Sequence, residues 1–302
     1  MLNATFQYEL VEWIEYSNLE NVEFIAEGGF GSVYKATWKD GPINATSHVH
    51  PWNINKSVWN RDSNKEVAIK KIRNATSVSS EFLNEIRNTL MLNFAAYCNG
   101  IYGVTRDPHD NEYAIVMKFQ NLGNMREFIK NKHNLNWELI IKILHNVSYG
   151  LSTIHRENYH HRDFHSGNIL LEGYGKYISP VISDFGLCRP AGQVSADKTL
   201  YGVLPFVAPE VLRGEEFTEK SDVYGQLSIK LKIEEEFSQE KENRWKARLS
   251  NLTTNPHPSK MSQNRFTSKL LDFSTRLISA TCKIRRSECL STRITTGIVN
   301  PL

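Results

Sequence analysis

The stretch that most constrains this chain runs from Tyr159 to Asn168, YHHRDFHSGN, and is followed by the apolar Ile169 to Leu171 and then by ISDFG at Ile182 to Gly186. This spacing gathers three polar groups in one place. Asp163 can accept a proton from a hydroxyl, while Asn168 and Asp184 supply hard oxygen donors of the kind Mg2+ prefers. An HRD, an Asn five residues after its Asp, and a DFG together form a joint signal for a phosphoryl-transfer loop.

With 302 residues, 40% of them apolar and 23% charged, the chain can bury a substantial core, and two lobes or domains are expected. Its apolar runs, such as Leu139 to Leu144, are far too short to span a bilayer, and Met1 to Tyr16 carries acidic residues without a long apolar block. A cytoplasmic location, or a nuclear one, follows by default, with no membrane partner. Cys98, Cys188, Cys282 and Cys289 show neither CxxC spacing nor a His partner at zinc spacing, so they read as free thiols. Residues 241–302 hold 12 Lys or Arg against 3 Asp or Glu, and residues 1–240 hold 24 against 30, so a mildly acidic body carries a basic tail. That body does not resemble a nucleic-acid binder.

Apolar spacing predicts a short helix at Tyr8 to Tyr16. Gly28, Gly29 and Gly31, between β-prone runs, predict a hairpin from Ile25 to Val33 whose backbone N–H groups can approach phosphate oxygens. Residues 39–66 read as a polar loop insertion, in which His48 and His50 beside Trp52 and Trp59 are solvated rather than metal-binding. In Val67-Ala-Ile-Lys70, strand alternation puts Ala68 and Lys70 on one face, and Lys71 reads as a snorkelling edge residue. Glu81 to Leu92 is a predicted helix with Ser80 as N-cap and Phe82, Ile86 and Leu90 as its apolar row. Short strands at Ile101 to Val104 and Tyr113 to Phe119, a helix at Met125 to Lys130, and a long amphipathic helix from Trp137 to about His155 complete the pattern.

Taken together, these motifs resemble a eukaryotic protein kinase of the tyrosine-kinase-like group, over about Asn21 to Tyr224. The resemblance implies an α+β bilobal fold with a β-rich N-lobe and a mainly helical C-lobe. It divides the chain into an extension (1–20), an N-lobe with hinge (21–120), a C-lobe shortened after the start of its Glu219-Lys-Ser-Asp-Val-Tyr224 helix (121–230), and a polar basic tail (231–302). It also implies ATP and Mg2+ as cofactors and a protein as substrate, with Ser or Thr expected over Tyr as acceptor. Oligomeric state is not legible. Catalytic roles fall to Asp163 as the group that takes the hydroxyl proton, Lys70 on the α and β phosphates, and Glu85 holding Lys70. Ile25, Gly28, Gly31, Val33, Ala68, Met117 as gatekeeper and Phe119 in the hinge would surround the nucleotide, and Asn168 and Asp184 would hold the metal. His161 would pack beside Phe185. Arg162 would bind an activation segment phosphorylated at Ser195, Thr199 or Tyr201, and Asp222 would hydrogen-bond the catalytic loop from below.

The chain departs from the family pattern at Ala26, where a Gly is usual, at His165, where a Lys is usual, and at Val203. Its helix from Glu219 meets Gly225-Gln226 and then turns polar, and no late Arg is found to pair with Glu210 of Ala208-Pro-Glu210. These departures leave a second reading open, a non-catalytic kinase-like scaffold. A third, a small-molecule kinase, is disfavoured by the APE segment.

Overall fold

The computed structural model describes residues 11–28, 31–43, 52–53, 56–72, 79–131, 137–175, 177–193, 200–237 and 269–270. In chain order the first half gives β1 (Glu12–Trp13), β2 (Leu19–Glu27), β3 (Gly31–Trp38), a ribbon of β4 (Trp52–Asn53) and β5 (Val58–Trp59), then β6 (Lys65–Ile72), α1 (Ser80–Met91), β7 (Ile101–Arg106) and β8 (Tyr113–Lys118). The main sheet has the order β1-β7-β8-β6-β3-β2 and is antiparallel except at the β1 edge, which runs parallel to β7. One face buries Ile14, Leu19, Trp38, Val67, Ile69 and Val116; the other buries Ile72, Ile101 and Ile115 under Phe82, Ile86 and Leu90 of α1.

The helix predicted at Tyr8 to Tyr16 is not found in its described part, where β1 stands instead. Gly103 explains why the strand wins. A Cβ there would lie 2.2 Å from the Glu12 carbonyl oxygen, so β7 admits a second backbone only because this residue is glycine. Helix α1 starts one residue earlier than expected, with Ser79 as N-cap, its hydroxyl accepting from the Phe82 N–H at 3.2 Å. The 39–66 insertion contains the β4–β5 ribbon, across which Trp52 and Trp59 meet edge to face at 5.0 Å, and its last residues already belong to β6. His48 and His50 lie outside the described residues. Lys71 is not a snorkelling edge residue: β6 is interior to the sheet, and Lys71 is buried between Asp107 and Asp110, each 2.5 Å away.

The second half gives α2 (Met125–Asn131), α3 (Trp137–Arg156), β9 (Tyr159–His160), β10 (Ile169–Tyr174), β11 (Tyr177–Ile182), β12 (Arg189–Pro190), β13 (Tyr201–Gly202), α4 (Pro209–Leu212), α5 (Glu219–Phe237) and β14 (Lys269–Leu270). Ile140, Ile143, Val147, Leu151 and Ile154 of α3 meet Ile169 and Leu171 of β10, Ile182 of β11, and Ile229 and Ile233 of α5 in one core. Each such side chain contributes about 1.5–3 kcal/mol by leaving water. The β10–β11 hairpin thereby fixes the two loops at its ends, one carrying Asp163 and Asn168, the other Asp184.

Helix α5 does not stop at Gly225-Gln226, and the expected boundary between 230 and 231 falls inside it. Gly225 is there for close approach: a Cβ would come within 2.5 Å of the Phe164 carbonyl oxygen. Beyond the helix, Lys269–Leu270 pairs antiparallel with Tyr201–Gly202. Glu210 has no ion-pair partner among the described residues, but it is only half-buried, so water reaches it and the penalty of a sealed, unpaired charge does not arise. The whole is an α+β bilobal fold: a β-rich lobe, a mainly helical lobe and a cleft between them.

Candidate active site

Lys70 joins the two lobes. Its ammonium lies 2.6 Å from Glu85 Oε1 of α1 and 2.9 Å from Asp184 Oδ1 of the loop after β11. Burial alone would push the Lys70 ammonium down; the charges of Asp184 and Glu85 outweigh it and hold the group above the usual lysine range. Burial raises the Glu85 carboxyl despite Lys70, whereas at Asp184 Lys70 overrides burial and holds the carboxyl below its usual range. The Asp184 side chain is 26% exposed against 5% for Glu85, so Asp184 is the carboxylate that opens toward the cleft.

The cleft encloses about 330 Å³. Ile25, Gly28, Gly31, Val33 and Ala68 form its upper wall, with Lys70, Glu85 and Met117 at the back, Phe119 at the hinge, and Asn168, Leu170 and Asp184 below. Phe119 falls just past the end of β8 rather than within it. At Gly31 a Cβ would collide with the Lys71 carbonyl oxygen at 1.8 Å, so the hairpin closes on the sheet only through a glycine. Asp163 does not line this cleft. It faces a neighbouring recess with Val203, Phe206 and Val207, and a Cβ on Gly202 would lie 3.9 Å from its Oδ1.

Asn168 donates through Nδ2 to the Asp163 carbonyl at 3.0 Å, which leaves its amide oxygen as the group it can offer a cation. Asp184 and Asn168 make a partial oxygen set. Among the described residues no three His, Cys, Asp or Glu side chains gather into a metal cage. Such a half-shell suits Mg2+, which keeps waters and takes phosphate oxygens, rather than an ion wrapped by protein alone.

The loop around Asp163 is held from below. Asp222 of α5 accepts the N–H of His161 at 2.8 Å and that of Arg162 at 2.9 Å, and its Oδ2 is 3.0 Å from His155 Nε2. Arg162 and Asp184 both have left-handed backbone, φ +68° and +66°, which costs about 1–3 kcal/mol each and persists only where neighbours impose it. His161 lies 5.6 Å from Phe185 ring to ring, and its Nε2 is 3.1 Å from the Ser183 carbonyl oxygen. The Arg162 guanidinium stacks 4.5 Å over Phe217. Burial, then Arg189, holds it below the usual arginine range. Of its expected phosphorylated partners, Ser195 and Thr199 lie outside the described residues, and Tyr201 is in β13.

Three residues at the site were not read as participants from the sequence. Leu170 supplies an apolar floor, and its place two residues after Asn168 is the signal for it. Asn88, one turn beyond Glu85, donates to the carbonyls of Phe185 at 3.0 Å and Cys188 at 2.8 Å and so ties α1 to the Asp184 loop. His165 accepts the Gly167 N–H through Nδ1 at 3.0 Å; its hydrogen is therefore on Nε2, which points at Asp163 Oδ1 from 3.6 Å.

The family model described as protein tyrosine and serine/threonine kinase matches residues 19–261. The chain belongs to that family. The kinase match continues past Tyr224, where the sequence resemblance was expected to stop, and takes in all of α5. Among curated kinases, the chain is 28% identical over 212 residues to the probable serine/threonine-protein kinase zyg-1 of Caenorhabditis briggsae, covering 69% of this chain and 26% of that protein. It is 31% identical over 179 residues to the serine/threonine-protein kinase PknA of Corynebacterium glutamicum, covering 56% and 38%. It is 29% identical over 170 residues to the human dual specificity testis-specific protein kinase 2, covering 55% and 29%. This kinase chain therefore spans well under half the length of these relatives. No helix among its described residues is long and apolar enough to cross a membrane.

Proposed function

We propose that this chain transfers the γ-phosphate of ATP to a hydroxyl of a protein substrate, serine or threonine before tyrosine, as a member of the tyrosine-kinase-like group. The observation that carries the reading is the convergence of Lys70, Glu85 and Asp184 from three separate elements onto one end of a cleft. Chance burial does not place an ammonium between two carboxylates of opposing lobes beside an apolar slot.

In this reading the purine lies between Ala68 and Val33 above and Leu170 below, with the backbone around Phe119 at its edge. Glu85 holds Lys70 against the α and β phosphates, and the backbone near Gly28 and Gly31 covers them. Mg2+ would be held by Asp184 and Asn168 and would neutralise charge on the phosphates. Asp163 orients the acceptor hydroxyl and takes its proton as the oxygen attacks phosphorus in line with the departing ADP. Asn168 Nδ2, 3.4 Å from Asp163 Oδ2, steadies that carboxylate, and His165 faces it from 3.6 Å. The serine or threonine preference rests on the names of the similar kinases, one of which is of dual specificity.

The test is transfer of labelled γ-phosphate from Mg-ATP to the chain itself and to a generic protein substrate, with Asp163→Ala as control. The expected outcome is transfer by the wild type that drops by at least about 100-fold in the variant. Wild-type protein that is folded and binds nucleotide yet transfers nothing would replace this reading with a kinase-like scaffold.

A further inference from the structure

Next to the cleft, a second cavity of about 80 Å³ opens between α2 and α5. Helix α2 presents Arg126, Ile129 and Lys130 to it, and α5 presents Ile229, Lys232 and Ile233. Each set is an i, i+3, i+4 triple and so forms one continuous helix face. Ser166 and Phe206 close the cavity toward the catalytic loop. Among the described residues, three that line it are cations and none is a carboxylate. The space holds several waters and therefore admits a carboxylate or a phosphate group.

We infer that this cavity is a substrate subsite that receives an acidic or phosphorylated side chain lying a few residues from the acceptor hydroxyl of a polypeptide. The inference rests on the protein-kinase reading and adds a substrate class to it. Position supports it first. Ser166 is three residues beyond Asp163, and Phe206 packs at a tilt, ring centres 5.8 Å apart, against His165, whose Nε2 faces Asp163. A polypeptide that delivers a hydroxyl to Asp163 thus has the cavity within reach of its neighbouring residues, since an extended chain advances about 3.3 Å per residue.

Charge supports it second. Lys130 meets Glu127 at 3.0 Å, but that pair is about half exposed on both sides and holds the lysine only weakly. The Lys232 ammonium sits 4.6 Å over the Phe206 ring, a soft contact that an anion can share. Burial holds the Arg126 guanidinium below its usual range, with Glu127 offsetting part, and an anion in the cavity would relieve this. Arg126 also lines the nucleotide cleft, so one side chain borders both sites. A basic substrate residue here would meet three like charges, so the cavity discriminates in both directions.

The experiment compares single-serine peptides that carry Glu, phosphoserine, Ala or Lys at each position from four before to four after the acceptor. The proteins are the wild type, a Lys130→Glu/Lys232→Glu variant and the milder Lys130→Gln/Lys232→Gln variant, each checked for folding by thermal melting. At one or more positions Glu or phosphoserine should raise kcat/KM over Lys by about tenfold. The Gln variant should flatten that ratio and the Glu variant invert it. Comparing the Glu and phosphoserine arms identifies which anion fits. An unchanged ranking of the peptides in both variants would overturn the subsite. If the wild type phosphorylates neither itself, nor a generic protein, nor any peptide, the kinase reading fails instead. Without peptide transfer the subsite is decided by fluorescence anisotropy: phosphoserine peptide bound by the wild type and not by the Glu variant upholds it, and equal binding by both discards it.

Discussion

Lys70 and Lys71 are neighbours on β6, both are buried, and each ammonium lies between two carboxylates, yet strand alternation sends them to opposite faces of the sheet. The partners of Lys70 belong to α1 and to the loop before Phe185, one from each lobe. Those of Lys71 belong to a single turn between β7 and β8, where Asp107 also accepts the His109 N–H at 2.9 Å. One lysine therefore spans a cleft and the other pins a turn to its own sheet. Similar ionic chemistry lines the proposed nucleotide cleft in one case and fastens a turn in the other, according to whether its acids come from both lobes and face a space.

The comparison can be broken or sharpened by substitution. The largest effect is expected at Lys70→Met, where the initial rate of phosphoryl transfer should fall by at least about 100-fold through lost charge stabilisation. Lys71→Met should leave the rate of the folded protein within about twofold, and should lower stability in urea unfolding by about 2 kcal/mol. That is less than for a sealed pair, because Asp110 is 44% exposed. Loss of transfer in Lys71→Met at full stability would collapse the distinction between the two lysines.

The smallest effect concerns pH. Burial works against charge on Asp107, but Lys71 and the His109 N–H prevail and hold the carboxyl well below its usual range. A depressed carboxylate adds stability above its unfolded value, near pH 4, and loses it as pH falls further. Urea midpoints of the wild type should therefore drop between about pH 4 and pH 2, and Asp107→Asn should flatten this drop. An equal slope in both proteins would mean that Asp107 is not what fastens the turn.

Much of the cleft was legible because its motifs fix residue type and spacing: Lys70, Glu85 and Asp184 lie far apart in sequence, and the structure brings them within 3 Å of a common ammonium. What escaped depended on partners that local pattern does not carry. Lys71 looked like an edge residue because nothing in β6 announces a turn of two aspartates arriving 36 and 39 residues later. The helix predicted at Tyr8 to Tyr16 lost its described part to a sheet edge opened by Gly103. At Gly225 the sequence shows only that the helix from Glu219 turns polar; that this glycine admits the Phe164 carbonyl is visible only in three dimensions.

Asp222 also sets an order of events during synthesis. Lys70, Glu85, Asp163, Asn168 and Asp184 have all left the ribosome before it, yet the left-handed turn at Arg162 has no carboxylate beneath it until residue 222 emerges and α5 docks. A polypeptide ending between Gly186 and Asp222 would contain every one of those five side chains and still lack the anchor of the loop that carries two of them. The shortest unit that can hold this loop is thus set by a residue that lies outside the cleft.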